Sequence, residues 1–278
     1  MVLSWYESIL YGLVSGVTDI LPVSAQAHDM LMLKMFGARS TPVLLRLLIH
    51  LCMFAALYYN CMPHIIKMVR AKSLSRVPKR RRRRPLDVKS LMDLSLWQTM
   101  AVPVILGYLL YQKMEGLQSS LAAMAILLFL NGLILYVPQY LPSSNKDSRN
   151  LSRVEGLLMG LGGAASIFPG ISALGATLSI GSVCGVERKY CLSMAFLMEL
   201  VVMVALVVID ILTIINMGVG QISIGVFASY LLSGAAAFAG TFLGVRLMRR
   251  LAEDKGFAMF AYYCWGLALF TFILNLMA

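Results

Sequence analysis

Six long apolar runs constrain the fold of this chain more than any other feature of its sequence. They lie at about 43–62, 91–111, 119–141, 191–216, 223–246 and 257–277. The hydrocarbon core of a bilayer is about 30 Å thick, and an α-helix of about 20 residues crosses it. Backbone polar groups in lipid must be hydrogen-bonded within their own segment. The runs therefore predict six helices that span a membrane.

Composition favours the same class of protein. Of the 278 residues, 59% are apolar and 13% are charged, whereas about a quarter of the residues in soluble domains are charged. The spans and their loops fill the length, which predicts a single polytopic membrane domain over residues 1–278.

The net charge of +11 is concentrated in one segment. Eleven basic residues lie between Lys67 and Lys89, and aromatic side chains that could stack on bases do not interleave them. Nucleic acid is therefore not expected as a partner. The segment 63–90 is typical of a cytoplasmic loop, and a patch that touches anionic lipid head groups is the alternative.

Two further apolar segments, about 8–36 and 155–186, are interrupted near their middles by Pro22 and Pro169. Proline removes a backbone donor and blocks the preceding helical turn, so each segment is predicted to be a re-entrant helical hairpin. Matching broken segments in two halves of a chain are typical of inverted repeats, here about 1–141 and 151–278. The predicted fold class is an all-α integral membrane protein; two kinked spanning helices are the alternative to the hairpins.

The distribution of cations predicts the orientation. If both hairpins re-enter, the loops at 63–90, 142–154, 186–190 and 246–256 share one face and hold twenty of the 24 lysines and arginines. The opposite face keeps Lys34, Arg39, Arg46 and Lys113. Positive charge favours the cytoplasmic side, so both termini are expected outside.

Polar residues within the broken segments mark a candidate site. The first segment contains Asp19, Ser24, Gln26 and His28, and the second contains Gly170, Ser172, Gly175 and Thr177. Polar side chains inside a membrane protein indicate a functional interior. The break before Ser172 also opens a half-helix, and helix N-termini bind anions such as phosphate.

Two acids, Glu199 and Asp210, lie within one predicted span. They are about three helical turns apart and can share one stripe of the helix, which suits an ion or proton path. The alternative places Asp210 near the outer interface and leaves only Glu199 deeply buried.

Together the two broken segments resemble the undecaprenyl pyrophosphate phosphatase (bacitracin-resistance) family. That family carries the motifs EGxTEFLPxSSTGH and PGxSRSGAT. Here the corresponding stretches are SGVTDILPVSAQAH, from Ser15 to His28, and PGISALGAT, from Pro169 to Thr177. The resemblance extends over nearly the whole chain.

The resemblance implies an enzyme of the bacterial inner membrane that hydrolyses a polyprenyl pyrophosphate to the monophosphate carrier lipid of cell-wall synthesis. It assigns catalysis to His28 and Asp19, and it matches Ser24, Ser172 and Thr177 to phosphate-facing hydroxyls. Gln26, Gly170 and Gly175 are further candidates for phosphate binding. A divalent cation, Mg²⁺ or Ca²⁺, is the candidate cofactor, with Asp19 as its candidate ligand, and a homodimer is one option for assembly.

The chain also departs from both family motifs. Ser15 replaces the first glutamate, Ala25 the second serine, and Ala173 the arginine; Leu174 replaces the serine after that arginine. An arginine that neutralises charge in phosphoryl transfer is typically worth 10³–10⁵ in rate. Whether hydrolysis survives is therefore open, and a lipid-phosphate transporter and a catalytically silent lipid-binding scaffold are the alternatives.

Overall fold

The structure, a computed structural model, describes residues 3–38, 40–118, 120–141, 145–218, 222–252 and 257–277. Within these ranges the secondary structure is helical, apart from an isolated bridge between Lys146 and Val186. Arg39 and parts of the predicted loops 142–154 and 246–256 lie outside the described residues.

The helices follow a similar order in the two halves of the chain. The first half contains α1 (Trp5–Ile20), α2 (Ala25–Met35), α3 (Val43–Ser75), α4 (Val88–Tyr108), the single turn α5 (Glu115–Gln118) and α6 (Leu121–Tyr136). The second half contains α7 (Arg153–Ala164), α8 (Ala173–Val183), α9 (Arg188–Met217), α10 (Ile224–Leu251) and α11 (Ala258–Met277). Apart from α5, two short helices precede three longer ones in each half.

Five of these helices, α3, α6 with the turn that follows it, α9, α10 and α11, are long and apolar enough to cross a bilayer. The sixth predicted span corresponds to α4, which is continuous but contains Asp93, Gln98 and Pro103. Apolar side chains such as Ile105 and Leu106 are exposed on α4, as expected of a surface that faces lipid. The chain is an all-α integral membrane protein.

Both predicted breaks are present. α1 ends before Pro22, and α2 begins after Ser24, whose φ of 64° is left-handed. In the second hairpin Pro169 and Gly170 separate α7 from α8, and Gly170 has a φ of 108°. A side chain at Gly170 would overlap the backbone of Leu128. These segments are helix-break-helix hairpins, and the alternative of two continuous kinked helices is wrong.

Each hairpin packs against the opposite half of the chain. α1 lies along α10, and α7 lies along α4. Glycines bring the backbones together, because a Cβ at Gly16 would overlap the carbonyl oxygen of Ala237, and one at Gly160 would overlap that of Met100. Small residues at such contacts are typical of membrane helix packing. The two halves therefore interlock through equivalent pairs of helices.

The α1–α10 contact predicts the effect of a single methyl group. We expect Gly16→Ala to destabilise the protein by about 1–3 kcal/mol, because the new Cβ must push two backbones apart. Thermal unfolding in detergent measures the loss. Gly225→Ala is the matched control, since a Cβ there meets open space at the start of α10. Equal unfolding temperatures for the two variants would contradict the prediction.

Candidate active site

The tips of the two hairpins meet at Asn131, a fully buried residue of α6. Its Oδ1 accepts a hydrogen bond from the backbone N–H of Ser172 at 3.0 Å, and its Nδ2 donates to the carbonyl oxygen of Pro22 at 3.2 Å. One side chain thus satisfies backbone groups in both breaks. This matters because an unpaired backbone group in lipid costs several kcal/mol.

Direct contacts also hold the tips together. The Nε2 of Gln26 donates to the carbonyl oxygen of Ser166 at 3.2 Å, which joins α2 to the turn after α7. A Cβ at Gly175 would overlap the ring of Pro22. The second hairpin therefore packs against the first at the point where each helix is interrupted.

A cavity of about 90 Å³ lies beside the tips. The tips contribute Ser24, Ala25, Gln26, Ser166, Ser172 and Ala173 to its wall. The surrounding helices contribute the acidic and basic side chains of Asp19, Asp29, Arg46, His50, Glu199 and Asp210. About 10–15 Å³ of such space holds one water molecule, so the cavity has room for a small polar group.

The first hairpin brings two residues of α1 and α2 together in this wall. The hydroxyl of Ser15 donates to the Oδ1 of Asp29 at 2.5 Å. Asp29 therefore presents a carboxylate beside Ser15. Ser15 is the position where the family motif given above has its first glutamate.

A second group of charges joins α3 to α9. The Nε of Arg46 donates to the Oδ1 of Asp210 at 2.5 Å, and the Nδ1 of His50 lies 2.6 Å from its Oδ2. Arg46 and His50 are four residues apart and share one face of α3. Asp210 is only 1% exposed, so it is buried in the protein as Glu199 is, and its depth in the membrane stays a prediction.

Three polar atoms in the cavity wall are buried and have no hydrogen-bond partner among the described residues. They are the Oδ2 of Asp19, the Oγ of Ser24 and the Oε1 of Gln26. Most buried polar atoms in proteins are paired with protein or water. Three unpaired atoms in one cavity therefore indicate a place where water or a polar ligand binds.

The structure divides the residues that the sequence singled out. Asp19, Ser24, Gln26, Ser172, Glu199 and Asp210 line the cavity. Thr177 lies behind the second tip, where its hydroxyl donates to the carbonyl oxygen of Met159 at 3.3 Å. Gly170 and Gly175 shape the turn and its packing on the first hairpin.

His28 lies outside the lining of this cavity. Its Nδ1 is 2.8 Å from the carbonyl oxygen of Ser24, and its Nε2 is 2.7 Å from the hydroxyl of Tyr263 on α11. The recorded partners of this imidazole thus include neither Asp19 nor Asp29, and Asp29 bonds to Ser15. His28 therefore contacts the backbone of Ser24, the residue with the left-handed φ at the tip.

Sequence reasoning missed the role of Arg46, which entered only as one of four cations on the outer face. The four-residue spacing between Arg46 and His50 places both on one face of α3. The partner of that face, Asp210, is 164 residues away from Arg46, so local spacing gave no signal for the pair.

The donor set does not match a preformed metal site. Among the described residues, no three His, Cys, Asp or Glu side chains come together as metal ligands. The described residues thus form no such cluster around Asp19, and its role as a ligand of a divalent cation stays a prediction.

Comparison with known proteins matches residues 8–270 to the family model described as bacitracin resistance protein BacA. The chain belongs to this BacA family. It is similar to the undecaprenyl-diphosphatase of Methanobrevibacter smithii, at 29% identity over 96% of both chains. The protein of that name from Thermosipho africanus is 28% identical, over 96% of this chain and 99% of its own. Undecaprenyl-diphosphatase 1 of Shouchella clausii is 24% identical, over 98% of this chain and 96% of its own.

The contact between His28 and Tyr263 predicts a structural effect. Tyr263→Phe removes the hydroxyl that bonds to the imidazole, and we expect a loss of about 1 kcal/mol in unfolding free energy. Thermal unfolding in detergent measures it, with the exposed Tyr59→Phe as control. An unchanged unfolding temperature in Tyr263→Phe would contradict the prediction.

Proposed function

We propose that this chain binds the pyrophosphate head group of a polyprenyl lipid in the cavity between the hairpin tips and hydrolyses its terminal phosphoanhydride bond. The observation that carries the proposal is the set of unpaired atoms on Asp19, Ser24 and Gln26. Membership of the BacA family and relatives named undecaprenyl-diphosphatase support it.

The second tip supplies a binding surface for an anion. α8 begins directly after Ser172, and both Ser172 and Ala173 line the cavity. The free N–H groups and the dipole at a helix N-terminus favour negative charge. The unpaired hydroxyl of Ser24 provides a donor from the first tip. A phosphate between the tips would therefore meet donors from both hairpins.

The lining of the cavity indicates which part of the lipid it holds. Its polar and charged side chains suit a pyrophosphate, whereas a prenyl chain is as apolar as the lipid around it and stays in the bilayer. Apolar side chains of α3 and α9, among them Met53 and Leu206, also line the cavity. They suit the methylene group that joins the pyrophosphate to the chain.

Asp19 is the group best placed for chemistry. In the proposed step, water attacks the terminal phosphorus while the Oδ2 of Asp19 accepts its proton. The bond from that phosphorus to the bridging oxygen breaks, and the electron pair stays on the bridging oxygen. The products are inorganic phosphate and the polyprenyl monophosphate. His28 is a positioning residue in this scheme, because it acts through Ser24.

The charge distribution supports a site in the outer half of the bilayer. Arg46 lies near the start of α3, and Lys67 is roughly 30 Å further along the helix at 1.5 Å per residue. Because the basic segment 63–90 favours the cytoplasm, we propose that the cavity and both termini face the outside of an inner membrane.

Hydrolysis is tested with purified protein in detergent and polyprenyl pyrophosphate as substrate. We expect phosphate release by the unaltered protein and a 10²–10⁴-fold lower kcat in Asp19→Asn, because that variant loses the proton acceptor. Asp87→Asn is the control, since Asp87 caps α4 far from the cavity.

Other results would point to the alternatives. Tight binding without phosphate release would identify a silent lipid-binding protein. Movement of labelled lipid in proteoliposomes that is lost in Glu199→Gln would identify a transporter. Full release by Asp19→Asn would remove Asp19 from the chemistry.

A further inference from the structure

The charges around the cavity pose an electrostatic problem for an anionic ligand. Four carboxylic acids line it, namely Asp19, Asp29, Glu199 and Asp210. A pyrophosphate adds further negative charge, and phosphoryl transfer depends on positive groups that neutralise it. Position 173 at the second tip is alanine, and the described acids form no cluster suited to a metal.

Arg46 is the fixed positive charge in the described part of the cavity wall. Its side chain is 36% exposed, whereas that of its partner Asp210 is 2% exposed. The hydrogen bond to Asp210 uses Nε, and the described residues give its two terminal amino groups no partner. A guanidinium has five N–H donors, so four remain for a ligand.

The surroundings of Arg46 fix its position. Asp210 anchors one edge of the guanidinium, and His50 lies against the other oxygen of the same carboxylate. Side chains locked by a second layer of hydrogen bonds hold a binding group in a defined geometry. The anchored guanidinium is planar, and two of its N–H groups can bind two oxygens of a phosphate side by side. A lysine ammonium is a point charge and does not offer this paired geometry.

We infer that Arg46 is the phosphate-binding cation of this cavity and that Asp210 and His50 are positioning residues for it. The inference rests on the proposed function, because it takes the ligand to be a pyrophosphate head group. It assigns to α3 the positive charge that the second hairpin lacks at Ala173.

The first test compares Arg46→Gln with Arg46→Lys in phosphate release from polyprenyl pyrophosphate. We expect kcat/KM to fall by 10³-fold or more in Arg46→Gln, and to fall less in Arg46→Lys, which keeps the charge without the paired geometry. Lys34→Gln is the matched control, because Lys34 is exposed and lies outside the cavity lining. Its kcat/KM should equal that of the unaltered protein.

Loss of Arg46 alone leaves Asp210 buried without its cation, which can prevent folding. The double variant Arg46→Gln/Asp210→Asn removes both charges and leaves two neutral amides. We expect it to unfold at a temperature close to that of the unaltered protein and to remain inactive. A folded double variant with full phosphate release would overturn the inference.

A relocated arginine separates a role in binding from a role in packing. Ala173 lines the same cavity, so we expect Ala173→Arg, added to the double variant, to restore at least part of the lost kcat/KM. If the folded triple variant recovers none of the lost kcat/KM, positive charge in the cavity is not sufficient for the role that we assign to Arg46.

The same assays distinguish the two proposals. Unaltered protein that neither binds nor hydrolyses polyprenyl pyrophosphate would overturn the proposed function, and the role of Arg46 with it. Activity that is present in the unaltered protein and unchanged in the double variant would overturn only the role of Arg46.

Discussion

The two hydrogen bonds of one buried amide support the rest of the structure. Asn131 donates to the backbone at Pro22 and accepts from the backbone at Ser172. Backbone that leaves helical geometry inside a membrane needs partners within the protein, and an amide side chain offers both a donor and an acceptor. The two breaks lie side by side, so that one amide pairs with backbone groups of both. The cavity lies where the two hairpins meet.

The sequence predicted the helices and the breaks well, since both depend on local signals. Long apolar runs indicate spans, and Pro22 and Pro169 mark interruptions. The site was predicted less completely. His28 and Asp19 belong to the same motif, but only Asp19 lines the cavity. The partner of His28, Tyr263, lies on α11, and only long-range packing determines such contacts.

The departures from the family motifs also have a different meaning in three dimensions. Ser15 carries no charge, yet it bonds to the carboxylate of Asp29 on the next helix. Ala173 carries none either, while Arg46 of α3 contributes to the same cavity wall. A motif compares positions along the chain, whereas a ligand meets charges in space. The cavity therefore keeps acidic and basic groups that its motifs alone would not indicate.

The interlocked helices have a consequence for biosynthesis. The glycine face of α1 is covered by α10, which the ribosome makes about 200 residues later. Until then this face of the first hairpin lacks its partner helix, and the insertion machinery or lipid has to cover it. A chain that stalls before α10 would therefore leave the glycine face of α1 uncovered.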